Sequence, residues 1–114
     1  MGRDLSFWRI KGTTDISNRE IYIKLSDENT LDFIDEIPVE QIMDDFKIEF
    51  RDWHIEDNWD FEKGHESFQL MLTKQFVRVD CYSVSEFNMN RIIDIMQKYK
   101  CPLYDSAIDV RFEG

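Results

Sequence analysis

Glycine and proline are scarce in this chain, four and two among 114 residues, so long structureless linkers have little raw material. Cysteine is limited to Cys81 and Cys101. Cys81 falls in an apolar alternating stretch, where a thiol behaves as a small hydrophobe, and Cys101 precedes a proline at an expected helix exit. Both are expected to be buried and unbridged, as in a reducing compartment. No run approaches the ~18 apolar residues of a membrane span. Met1-Gly2-Arg3-Asp4 leads straight into Leu5, Phe7 and Trp8 without the apolar stretch of a signal peptide, so a cytoplasmic protein is expected.

Positive charge is also in deficit. Lys and Arg number 14 against 24 Asp and Glu, a net charge of −10. A field of that sign repels phosphate backbones and anionic lipid surfaces, which argues against nucleic-acid and membrane binding. It favours a basic protein partner, or serves only to keep the chain soluble.

Catalytic motifs are missing as well. The chain has no glycine-rich phosphate loop, no G-x-S-x-G elbow and no H-E-x-x-H. The two histidines, His54 and His65, lie near carboxylates but match no compact metal-ligand spacing, and are expected to be solvated or partly packed. Oxygen ligands alternate through Glu56, Asn58 and Asp60. Phe61, however, stands where an EF-hand needs its turn glycine, and Ser67 where it needs a bidentate carboxylate. No catalytic residue, metal or cofactor is therefore expected.

What is present is apolar and aromatic surface. Hydrophobic residues make up 42 %, with nine Phe, four Tyr and three Trp, enough for one packed domain over residues 1–114. Alternation predicts strands over 4–11 and 20–25, joined as a hairpin through the turn Gly12-Thr13-Thr14-Asp15. Pro38 followed by Val39, Ile42, Met43 and Phe46 predicts a short helix. Period two returns over 47–55, with a change of parity near Arg51-Asp52 that reads as a bulge. The stretch 56–64 reads as a loop or irregular strand end. Phe68, Leu70 and Leu72, then Val77, Val79 and Cys81, predict an antiparallel pair about the turn Thr73-Lys74-Gln75.

Ser85 suits an N-cap. Met89, Ile92, Ile93 and Met96 mark the buried face of a second helix that Pro102 prevents from continuing. Ile108, Val110 and Phe112, alternating with Asp109, Arg111 and Glu113, predict a last strand. The sum is a single α+β domain of two layers, a mostly antiparallel sheet of about five or six strands with two helices on one face.

One segment stands out for recognition. Between Asp52 and Glu62, five carboxylates and three large aromatics share eleven residues. Aromatic anchors with a charged rim suit binding of a basic protein surface, which makes Trp53, Glu56, Asp57, Trp59, Asp60 and Glu62 the candidate partner-binding residues. The plain alternative is a strand with its aromatics in the core and its carboxylates in water.

From Ser67 to Arg111-Phe112, with Asn90-Arg91-Ile92-Ile93-Asp94-Ile95-Met96 and Cys101-Pro102-Leu103-Tyr104-Asp105, the chain resembles small acidic bacterial proteins. In size and charge it is similar to immunity proteins of polymorphic-toxin and contact-dependent inhibition systems. The resemblance implies a cytosolic inhibitor that masks the active site of a cognate toxin domain, often a basic nuclease. The competing expectations are an interaction or regulatory module with another partner, and a small-ligand binder or enzyme using scattered carboxylates.

Overall fold

The computed structural model describes residues 2–112. Ten elements follow along the chain: β1 (Gly2–Phe7), α1 (Asn18–Ser26), α2 (Val39–Glu49), β2 (His54–Glu56), β3 (Asp60–Lys63), β4 (Glu66–Thr73), β5 (Phe76–Tyr82), α3 (Glu86–Gln97), β6 (Leu103–Asp105) and β7 (Val110–Phe112). The strands form one antiparallel sheet in the order β2-β3-β4-β5-β1-β6-β7. The α+β class and the antiparallel sheet agree with the sequence reading. The seven strands exceed the expected count.

Successive residues of a strand point to opposite faces, and here both faces are covered in the middle of the sheet. Phe7 and Val77 join a cluster with Ile42, Phe46, Phe50, Ile92 and Met96, which places α2 and α3 together on one face. Their neighbours Trp8 and Phe76 join a second cluster with Ile21, Leu25, Ile34 and Tyr104, which places α1 on the other. The first cluster is rich in rings: Phe50 and Phe68 have centroids 4.9 Å apart, and Phe61 stacks on Phe68 at 4.7 Å.

Helix α1 replaces the strand expected over 20–25, and with it the expected hairpin. Ile21 and Leu25 are buried while Ile23 is exposed. Residues spaced two apart include a pair spaced four apart, so Ile21 and Leu25 satisfy a helix stripe as well as a strand face. Ser17 decides the matter locally by accepting a hydrogen bond from the Glu20 backbone N–H. Ser17-x-x-Glu20 is the pattern of a capping box.

The strand expected over 47–55 is instead the end of a helix, a turn and the start of β2. Helix α2 runs to Glu49, with Phe50 as its C-cap. Phe46 and Phe50, four apart, continue one buried stripe. The apparent bulge at Arg51-Asp52 is the turn after this helix, closed by the Trp53 N–H donating to the Phe50 carbonyl at 2.9 Å.

Helix α3 is capped as expected, with the Ser85 hydroxyl accepting from the Asn88 N–H. Ile92 and Met96 are buried as expected, Met89 and Ile93 are partly buried against the same core, and Ile95 is buried as well. The helix ends in a Schellman motif. The Cys101 N–H donates to the Met96 carbonyl, the Lys100 N–H donates to the Gln97 carbonyl, and Lys100 takes φ 61°. Helix α1 ends the same way through Glu28, at φ 64°. Both positions ordinarily favour glycine.

The loop 27–37 is held down by Gln75 in the β4–β5 turn. Its side-chain amide donates to the carbonyls of Leu31 and Ile34 and accepts from the Leu31 N–H. At the sheet's far edge β7 is shorter than the expected strand, and Glu113 lies outside the described residues. Its apolar side chains do not enter the core: Ile108, Val110 and Phe112 are exposed. Both cysteines are free and buried. Burial is the main cause that pushes the Cys81 thiol up to about 12 and the Cys101 thiol to about 11.

Candidate functional site

The segment 52–62 forms the outermost hairpin of the sheet. Asp57 and Asn58 both take left-handed φ, 54° and 67°, and the Trp59 N–H donates to the Glu56 carbonyl at 3.1 Å. Asp and Asn tolerate this conformation better than other non-glycine residues, and two such residues in succession suit the twist of a hairpin. The stretch expected as a loop or strand end is therefore β2, a tight turn and β3. Its inner side is anchored by Phe61, fully buried, and by Ile55.

Alternation assigns the candidate residues to different places. Trp53 is 5 % exposed and packs against Phe50 and Phe68 at centroid distances of 5.2 and 5.5 Å. It is a core residue, and its ring is not offered to a partner. Trp59 is 43 % exposed at the hairpin tip, beside the exposed Asp57. The Trp59 carbonyl accepts from the Leu70 N–H, extending the β3–β4 pairing by one residue.

Glu56, Asp60 and Glu62 share the outer side with His54, in the register His54↔Glu62 and Glu56↔Asp60. The four line a notch of about 140 Å³.

The row containing Glu56 and Asp60 continues across the sheet. Asp60 pairs with Gln69, Gln69 with Asp80, and Asp80 with Asp4. Five strands at ~4.8 Å spacing make a band ~19 Å long, in which four of the five residues are carboxylates. Asp4, Gln69 and Asp80 escaped the sequence reading because strand register, which brings them into line, is not visible in local periodicity.

The two ends of this row differ. Near α1 the charge is compensated internally: the Tyr22 hydroxyl and the Ser106 hydroxyl donate to Asp4 at 2.5 and 2.7 Å, and Arg78 pairs with Asp80 at 3.2 Å. At the hairpin end His54 approaches, with Nε2 3.0 Å from a Glu56 oxygen. That hydrogen bond, and then the fields of Glu56, Glu62 and Asp60, raise the imidazole's pKa above its ordinary 6.5. Beyond α1 the outer face of the hairpin carries no covering helix among the described residues, since the strand residues of the second core cluster come from β4, β5 and β6.

No protein-family model and no curated protein matches this chain. The chemistry of the site therefore rests on its own residues. Among the described residues no group of three or more His, Cys, Asp or Glu side chains is arranged to hold a metal ion. No helix among them is long and apolar enough to cross a membrane. The outer hairpin face can accept hydrogen bonds and attract cations over an extended, shallow surface.

Proposed function

We propose that this protein is a non-catalytic protein-binding inhibitor of the immunity type, which neutralises a basic toxin domain by masking its active site. The observation that carries the reading is the hairpin end of the cross-strand row, where Glu56, Asp60 and Glu62 share the uncovered outer face. Like charges placed directly opposite each other destabilise a sheet. Glu56 faces Asp60 in this way. An arrangement that costs stability and projects one sign of charge suits a surface selected for a partner.

In this reading Glu56, Asp60 and Glu62 occupy the positions where the toxin's Lys and Arg side chains meet phosphate. Asp57 and Trp59 at the tip extend the contact over the hairpin rim, with the indole as its aromatic anchor. Trp53 acts only by holding the hairpin on the core.

The test is rescue from a toxin. The terminal domain of a large secreted protein encoded immediately upstream is expressed with and without this protein, and growth is followed. Wild type is expected to restore growth, and a Glu56→Gln, Asp60→Asn, Glu62→Gln variant of equal abundance to restore it poorly. Growth arrest unaffected by the wild-type protein contradicts the proposal.

A further inference from the structure

A histidine stands inside the acidic notch of the β2–β3 hairpin, among the carboxylates that would receive a partner's cations. Three carboxylates meet His54 from two strands. Glu56 lies two positions along β2 and shares a hydrogen bond with Nε2 at 3.0 Å. Glu62 is its direct cross-strand partner on β3, and Asp60 is the partner of Glu56 on the same side. On β4 the next residues of these two rows, Ser67 and Gln69, are uncharged. Lys63 and Asp52, at the base of the hairpin, pair with each other at 2.5 Å.

The β2–β3 register sets these neighbours, not a choice of rotamer. Cross-strand side chains start ~5 Å apart, within the ~8 Å over which charges act at physiological salt. The imidazole therefore feels all three carboxylates.

Imidazole changes charge between about pH 5 and 8. The hydrogen bond to Glu56, and then the carboxylate fields, favour the charged form and raise its pKa above the ordinary 6.5. Charged, His54 holds a Glu56 oxygen that a partner's Lys or Arg would otherwise take, and it offsets one of the notch's three negative charges. Neutral, it leaves all three charges to the partner. An arriving cation in turn disfavours the imidazolium, so partner binding and protonation of His54 oppose each other by linkage.

We infer that His54 is a proton-operated gate on the acidic hairpin, which weakens its hold on a basic protein as the pH falls from neutral into the mildly acidic range. The gate rests on the reading of the hairpin as the surface that receives basic side chains, and adds to it a regulation by pH.

The test follows the ¹⁵N-labelled full chain by NMR, with capped hexalysine as the basic probe. In the free protein the His54 ring signals are expected to titrate with a midpoint above 6.5, and Glu56→Gln is expected to lower that midpoint. Hairpin amide shifts are expected to report hexalysine binding that weakens about two- to fivefold between pH ~8 and ~5.5, as for one exposed charge pair. The His54 side chain is 67 % exposed, so His54→Gln keeps the fold, and it is expected to remove most of that change. The gate is overturned if Glu56→Gln leaves the midpoint in place, or if binding by His54→Gln weakens with acidification as much as that of wild type. Hairpin binding that does not vary with pH, yet is lost in Glu56→Gln, Asp60→Asn, Glu62→Gln, overturns the gate and leaves the acidic surface standing. Hairpin shifts absent at every pH overturn both.

Discussion

Two tryptophans six positions apart have opposite physical roles, and substitution separates them. Trp53 lies inside an aromatic cluster with Phe50, Phe61 and Phe68. Trp53→Ala removes a large buried ring and is expected to lower stability by ~3–5 kcal/mol in denaturant unfolding. Trp59→Ala removes a ring that is already 43 % exposed and is expected to change stability by less than ~0.5 kcal/mol. Equal losses at both positions would place Trp59 in the core. Backbone conformation gives a second expectation at this scale. Glu28 closes α1 in the left-handed region, at φ 64°. Glu28→Gly is expected to raise stability by ~0.5–1 kcal/mol, read as a higher denaturant midpoint at unchanged slope. A lower midpoint would show that the Glu28 side chain contributes more than its backbone costs.

At the scale of elements, α3 is fastened to the sheet by a carboxylate from β4. A Glu66 side-chain oxygen accepts from the Ser85 N–H at 2.7 Å and from the Asn88 amide at 3.0 Å. These bonds, the Ser85 N–H first, hold the Glu66 carboxyl below its ordinary 4.5. A group with a lowered folded pKa contributes fully above its unfolded value and loses that contribution as pH falls through the folded one. The stability difference between wild type and Glu66→Gln, about 1 kcal/mol or less for a solvent-screened bond, is therefore expected to be constant above pH ~5 and to shrink as the pH falls below the ordinary 4.5. A difference that stays constant down to strong acid would contradict the assignment.

The elements legible in the sequence are those with a single consistent period, namely part of β1, α2, α3 and the β4–β5 pair. Helix α1 was misread because Ile21, Ile23 and Leu25 fit both periods, and the Ser17-x-x-Glu20 box that resolves the ambiguity lies outside the alternating stretch. Phe50 was misread because a C-cap residue can continue a helical stripe while looking like the start of a strand. The exposed Ile108, Val110 and Phe112 show that alternation reports a pleat but not whether anything covers its apolar side. Of the candidate site, Glu56, Asp60 and Glu62 were legible as one acidic surface. Its extension through Gln69 to Asp80 and Asp4 was not, because it depends on pairings between strands distant in sequence.

At the scale of the whole molecule, the outer face of the β2–β3 hairpin gathers Glu56, Asp60 and Glu62 at one end of the sheet, with His54 beside Glu56. In the proposed function, the long-range field of a net charge of −10 would steer a basic partner, and the uncovered hairpin would receive it. His54 tempers this end of the field. Its pKa is raised, first by the hydrogen bond to Glu56, so acidification toward and below 6.5 adds positive charge inside the acidic notch. Association is accordingly expected to slow as pH falls through that range.

The account stands most directly on the association rate with the basic domain, measured by stopped flow for wild type and for Glu56→Gln, Asp60→Asn, Glu62→Gln. At low salt the wild type is expected to associate at least tenfold faster than the variant. The gap should close as the Debye length falls to ~8 Å near physiological salt and to ~3 Å at 1 M, with thermal midpoints nearly equal. Equal rates for the two proteins at low salt would contradict a recognition role for the acidic hairpin.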